Sequence, residues 1–316
     1  MEKKLLLYLL SSIILLFIAG CKTEDIPIDT TPGPENGNGK FSLVVALPFI
    51  EDTRVALVED EMSFGLKWEE DDEIQIAFVQ GDIKIKQTAK VSNIREEGKR
   101  GTFQFTMPKE INTGRFDIYA IYGAELTDTN PTVAKLPEYF GYAGSLEEVD
   151  ASKVMLAFSQ KDIRAEVNEV RGSLRHIGSI IGISIQNTGT ETLDNLDEVR
   201  LATNDDSWVY NLGSGGTYDI VSGQFIGSGE SVNYLSLNAN GITIDGGESV
   251  AMWGWFPIPP EQSWPDFNIL LKDNSGSTIA ESANSKELAS EVTIGKSYYI
   301  HSQWNGTGLL FTPTMS

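Results

Sequence analysis

The chain is poor in the residues from which most catalytic and metal sites are built. It has one cysteine, Cys21, among 316 residues. No disulfide can form within it, so packing alone must hold its fold. Histidine occurs twice, as His176 and His301. That scarcity removes Cys-His catalysis, zinc clusters of cysteine and histidine, and most Ser-His-Asp schemes. Positive charge is also short: 24 Lys and Arg stand against 45 Asp and Glu, a formal net charge of -21. A surface this acidic repels nucleic acid and anionic headgroups, which excludes peripheral electrostatic binding to membranes. No glycine-rich loop joins a strand to a helix, so phosphate cradling has no support. The sequence predicts no catalytic residue, no metal and no cofactor.

Long hydrophobic runs are missing too, with one exception at the N-terminus. Residues 1–20 open with Met1-Glu2-Lys3-Lys4, stay apolar from Leu5 to Ile18 except at Tyr8, Ser11 and Ser12, and end in Ala19-Gly20. That is a basic start, an apolar core and a small-residue cleavage site, the pattern of a signal peptide. The core is too short to span a bilayer, which takes about 20 residues. Ile18-Ala19-Gly20-Cys21 resembles a bacterial lipobox. The resemblance implies cleavage before Cys21 and acylation of its sulfur and new amino group. An ordinary signal peptide with an incidental cysteine is the lesser reading, since it leaves a lone thiol without a role. One acyl chain binds a membrane reversibly, whereas two or more hold it durably.

Residues 21–40 are polar and rich in Pro and Gly, and bury too little to fold. They read as a flexible tether. Its start, Lys22-Thr23-Glu24-Asp25, resembles the short acidic tags that send some lipoproteins to the outer face of the outer membrane. A solvated linker accounts for the same residues.

From Phe41 onward the dominant period is two. Phe41, Leu43, Val45 and Leu47 alternate with Ser42, Val44 and Ala46. Ile83-Lys84-Ile85-Lys86, Thr102–Met107 and Phe116–Tyr122 repeat the pattern, separated by turn signals such as Gln80-Gly81-Asp82 and Glu97-Gly98-Lys99. Residues 145–170 are the least strand-like and are expected to hold a short helix or a long connection. A second strand series begins near Leu174, with glycine-dense turns such as Asp245-Gly246-Gly247 and Asp273-Asn274-Ser275-Gly276. Many short strands with such turns predict an all-β fold of two tandem β-sandwich domains, at 41–170 and 171–316.

Two further clusters invite weighing. Glu69-Glu70-Asp71-Asp72-Glu73 reads as a calcium site, a glycosidase carboxylate pair or a solvated turn, and the turn is the better reading on so acidic a chain. Trp253, Trp255 and Trp264 flank the stiff Pro257-Ile258-Pro259-Pro260 segment. Exposed, they would make a stacking platform for sugar rings; buried, they are core residues, the better reading because Ala251 and Met252 continue the apolar run.

Several segments carry a family resemblance. Phe41–Val55 resembles the start of the fimbrillin and Mfa-like proteins, lipoprotein precursors of type V pili. Leu66–Ile74, Gly101–Phe105, Phe116–Ala120, Leu174–Gly178 and Gly295–Tyr299 resemble successive strands of the same family. The resemblance implies transthyretin-like, Greek-key sandwiches, delivery to the cell outer membrane and assembly with other pilus subunits into a fimbrium. It also implies cleavage by an arginine-specific protease just beyond the first strand, here between Arg54 and Val55. The strand bearing Phe41, Leu43, Val45 and Leu47 would then leave, and a partner's strand would fill its place. Thr307–Pro313, with Leu309, Leu310 and Phe311, is a candidate for that donor strand; the alternative is that it is simply the last strand of its own domain. The competing expectation is a surface glycan-binding lipoprotein using Trp253, Trp255 and Trp264. N-terminal analysis of protein recovered from its own cells reads the outcome: acylated Cys21 marks a retained anchor, and Val55 marks a processed subunit.

Overall fold

The structure is a computed structural model and describes residues 39–48, 66–111, 113–136, 154–203, 216–226, 234–257, 267–283, 294–295 and 297–311. Within them the fold is all-β, with one 3-10 turn at Glu96–Gly98 and no α-helix. No described helix is long and apolar enough to cross a membrane. The first ten strands are β1 (Lys40–Ala46), β2 (Glu73–Gln80), β3 (Ile83–Arg95), β4 (Arg100–Thr106), β5 (Arg115–Tyr122), β6 (Glu125–Leu126), β7 (Val133–Lys135), β8 (Leu156–Arg164), β9 (Glu169–Ser173) and β10 (Arg175–His176). The next ten are β11 (Gly178–Asn187), β12 (Leu193–Thr203), β13 (Thr217–Asp219), β14 (Gln224–Ile226), β15 (Tyr234–Ile244), β16 (Ser249–Pro257), β17 (Phe267–Asp273), β18 (Thr278–Glu281), β19 (Ser297–Trp304) and β20 (Leu309–Phe311).

Eight strands form one curled sheet in the order β10-β8-β5-β2-β3-β4-β1-β9. The curl has two sources. β3 bends at a bulge between Val91 and Asn93, pairing with β2 before it and with β4 from Val91 onward. At the other side only Leu174 separates β9 from β10, although they end opposite edges of the strand order. The two edges must therefore come together. They meet where the Phe158 ring of β8 occupies the space a side chain at Gly172 of β9 would need, 2.2 Å from a Cβ built there. Only glycine allows that approach.

The interior of this sheet is aromatic. Phe41, Phe78 and Phe116 pack with ring centroids 5.3 to 6.1 Å apart, and Trp68 meets Phe103 and Tyr122 at 5.0 and 5.2 Å. Edge-to-face pairs of this kind add to the energy of area burial. In the remaining chain, β16-β11-β19-β20 and β15-β12-β17-β18 form two four-stranded sheets whose apolar faces meet. Ile181, Ile183 and Ile185 of β11 point inward with Ile300 and Met252, opposite Val199, Leu201, Leu237 and Ile269. Gly182 faces the other way, and its missing side chain lets Trp253 and Tyr299 stack across it, 4.8 Å apart and 13° from parallel.

Three expectations change here. Leu156–Arg164 is a strand rather than a helix or a connection. Its period of two is hidden because Leu156, Ala157 and Phe158 are all buried and Asp162 sits in a bulge at φ 62. The boundary drawn at 170/171 falls inside β9, and residues 169–176 pair with β1 and β8 of the curled sheet. The two parts of the chain are also stitched by a fourth sheet, β14-β13-β7-β6, in which Tyr218 of β13 pairs with Ala134 of β7. The described buried residues form one continuous core.

His176, at the end of β10, is half-buried against Gly295, and its buried Nε2 has no hydrogen-bond partner among the described residues. Burial lowers its pKa from 6.5 to about 4. A depressed histidine pKa means that the unfolded chain binds the proton more tightly than the folded one. Stability is therefore full above pH 6.5 and falls as the pH drops toward 4. The loss amounts to at most about 3 kcal/mol at 1.36 kcal/mol per unit. Denaturant unfolding across that window is expected to show this slope in the native protein and to lose it in His176→Gln.

Candidate functional site

The seat of β1 is the place where the fold and the sequence motifs converge. β1 runs antiparallel to β4 over seven residue pairs, from Lys40↔Thr106 to Ala46↔Arg100. On its other side it runs parallel to β9 over five, from Ser42↔Glu169 to Ala46↔Ser173. Further backbone bonds lock both ends. Ser42 N donates to Asn168 O at 2.7 Å, Leu47 N to Lys99 O at 2.8 Å, and Leu174 N to Ala46 O at 2.9 Å. β1 is thus an interior strand, and among the described residues β9 has no other strand neighbour.

The alternation read from sequence sets its faces. Phe41, Leu43 and Val45 are fully buried and Leu47 nearly so. Each contributes about 1.5–3 kcal/mol by leaving water. Phe41 is the anchor, since its ring meets both Phe78 and Phe116. The opposite face carries Ser42, Val44 and Ala46, with the Ser42 hydroxyl donating to Gln104 Oε1 at 3.1 Å. Removing this one strand would leave an apolar trough between two unpaired ladders, a far larger defect than trimming an edge.

Leu309, Leu310 and Phe311 form β20, which pairs antiparallel with β19 from Ser302↔Phe311 to Trp304↔Leu309. Leu309 is buried, Leu310 is 47% exposed, and Phe311 packs edge-on to Phe267 at 5.7 Å. In this structure the segment is the last strand of its own sheet.

Trp253 and Trp255 are only 4% and 2% exposed. Their faces are taken by Tyr299 and by the backbone at Gly178, so they do not form an open platform for sugar rings. Cys21, Arg54, Val55 and Trp264 lie outside the described residues. The acidic run before β2 is used locally. Asp72 accepts hydrogen bonds from the Glu69 amide at 2.7 Å and the Tyr122 hydroxyl at 2.9 Å, and Asp71 pairs with Lys90 at 3.1 Å. That bond and the carboxylate charge raise the Lys90 pKa. His301 Nδ1 lies 2.7 Å from the Ser184 hydroxyl, its cross-strand partner. No described group of His, Asp and Glu is arranged to hold a metal ion.

Sequence reasoning missed β9 as the second neighbour of β1. The signal was one buried residue, Val170, between the charged Glu169 and Arg171, too short to stand out from a loop.

The sequence matches no protein-family model and no curated protein. Solved structures similar to it include a candidate cell adhesion protein from Bacteroides uniformis, at 13% identity and TM-score 0.48 over 88% of this chain and 97% of that one. Another, from Bacteroides fragilis, has 13% identity and TM-score 0.48 over 88% and 98%. A third, described as candidate polysaccharide binding proteins from Bacteroides thetaiotaomicron, has 12% identity and TM-score 0.44 over 84% and 91%. At TM-scores below 0.5 these likenesses pass no activity or partner to this chain.

The anchoring role of Phe41 has a direct consequence. Phe41→Ala is expected to destabilise the protein by about 3–5 kcal/mol through the cavity left among Phe78 and Phe116. Ser42→Ala, on the outward face of the same strand, is expected to cost less than about 1 kcal/mol. Equilibrium denaturation of the two variants checks the contrast.

Proposed function

We propose that this chain is a non-catalytic, surface-delivered adhesin-type subunit that joins other subunits by exchanging β1 for a partner's strand. The observation that carries the reading is the position of β1. It is the first described strand, it lies between two others, and it holds three fully buried apolar side chains on one face, continued by the buried Leu47 just beyond its end. Its burial, summed, rivals the net stability of a whole domain, about 5–15 kcal/mol. A trough so costly to leave empty strongly favours a replacement strand, which is the logic of donor-strand complementation.

The leader and Cys21 fit the delivery half of the proposal: export, lipidation and passage to the outer membrane. Arg54, eight residues beyond the end of β1, fits the release half, because cleavage there would separate β1 from everything that follows. Lipid and strand would then leave together, and the chain would pass from membrane to fimbrium. The candidate donor segment, Leu309–Phe311, would have to leave β19 before it could serve a neighbour. Its short ladder of three pairs makes it the more easily detached end of that sheet.

Purified full chain treated with an arginine-specific protease is expected to be cut after Arg54 and then to assemble into ladders resistant to mild denaturation. Arg54→Ala is expected to stay monomeric under the same treatment. Cleaved wild-type protein that remains monomeric would exclude the chain as a polymerising subunit.

A further inference from the structure

We propose that the outward face of β1 forms the floor of a binding site for an acidic sugar, a saccharide unit carrying a carboxylate or a sulfate. A cavity of about 540 Å³ lies there, over β3, β4, β1 and β9. That size falls within the usual range for small-molecule sites, about 300–1,000 Å³.

Three guanidinium groups line it, Arg95 from β3, Arg100 from β4 and Arg171 from β9, on a chain whose net charge is -21. Arg95 and Arg100 are direct cross-strand partners. Like charges so placed repel each other, and the arrangement is relieved by an anion between them. Arg100 is already balanced by Glu96, Nε to Oε1 at 2.8 Å, and Arg171 by Glu169 at 2.7 Å. Arg95 has no ion pair among the described residues, which leaves the cavity one uncompensated positive charge. A guanidinium in that state is a natural bidentate partner for a carboxylate or a sulfate.

The rest of the lining suits a sugar ring rather than a bare ion. Asn93, Thr102 and Gln104 offer amide and hydroxyl groups, and Val44 gives an apolar patch at the base for ring C–H groups. The charge of the whole molecule limits the length of the ligand. A long polyanion would be repelled by the surrounding carboxylates, while a single acidic unit meets only the local arginines. The site exists in the chain with its own β1 seated, as in this structure. Its walls belong to β3, β4 and β9 and its floor to β1, so an occupied site ties all four together.

Isothermal titration of the full chain at low ionic strength, with digalacturonate, lactose 6'-sulfate, lactose and sodium sulfate, tests the proposal. At least one acidic disaccharide is expected to bind saturably with one site per chain, and lactose is expected not to bind. Binding by digalacturonate alone identifies a carboxylate ligand, and binding by the sulfated disaccharide alone identifies a sulfate ester. Arg95→Gln is expected to weaken the binding at least tenfold with an unchanged thermal midpoint. Absence of saturable binding, equal binding of acidic and neutral sugars, an unaffected Arg95→Gln variant, or sulfate ion matching the disaccharide would each overturn the proposal.

Discussion

The structure depends on one insertion, β1 between β4 and β9. Its antiparallel ladder to β4 and its parallel ladder to β9 join two strands that have no other link in the sheet order. The side chains it brings are not spread over the core but concentrated on Phe41, Leu43, Val45 and Leu47. Hydrophobic burial and backbone pairing therefore act at the same place. Loss of either would open the curled sheet along a full seam rather than loosen a corner.

That seam also joins the two parts of the chain. β9 continues through the buried Leu174 into β10, which pairs with β8, and then into β11, the central strand of the next sheet. The Leu174 amide bonds to Ala46 at the end of β1, so the crossover is fastened to that strand. Below it His176 packs against Gly295, and the short ladder of β13 on β7 stitches the same two regions at another point. The state of β1 is thereby coupled to the joint between the two parts, and the outer-face cavity, which takes Glu169, Arg171 and Gly172 from β9, shares that coupling.

Much of this was legible in sequence wherever one face of a strand meets water. The clean alternation of Phe41–Leu47 and of Thr102–Met107 located β1 and β4 because their outward residues are mostly polar or small, and Phe116–Tyr122 located β5 although its second face, with Tyr119 and Ile121, is buried as well. Glu97-Gly98-Lys99 and Asp273–Gly276 marked turns whose geometry the structure contains: Gly276 has φ 79, and Asp273 accepts the amides of Ser275 and Ser277. Legibility failed where burial is two-sided or interrupted. β8 opens with three consecutive buried residues and carries a bulge at Asp162, so its period vanished. Trp253 points away from the core of its sheet yet is buried by stacking on Tyr299 across Gly182, an arrangement no pattern within one strand announces. Arg95, Arg100 and Arg171 are brought together by register between strands distant in sequence, which local reading does not supply.

The proposed function rests on β1 being replaceable. On the proposed reading, a strand that contributes this much burial and lies ahead of Arg54 would act as a plug for a slot that a partner's strand can fill. The most direct test uses protein nicked after Arg54 and a fluorescent peptide of residues 39–48. The account predicts that the peptide enters saturably, one per chain, and that the same peptide with Phe41→Ala does not. Nicked protein that excludes the peptide, or that loses its own strand without taking up another and stays fully stable, would contradict it.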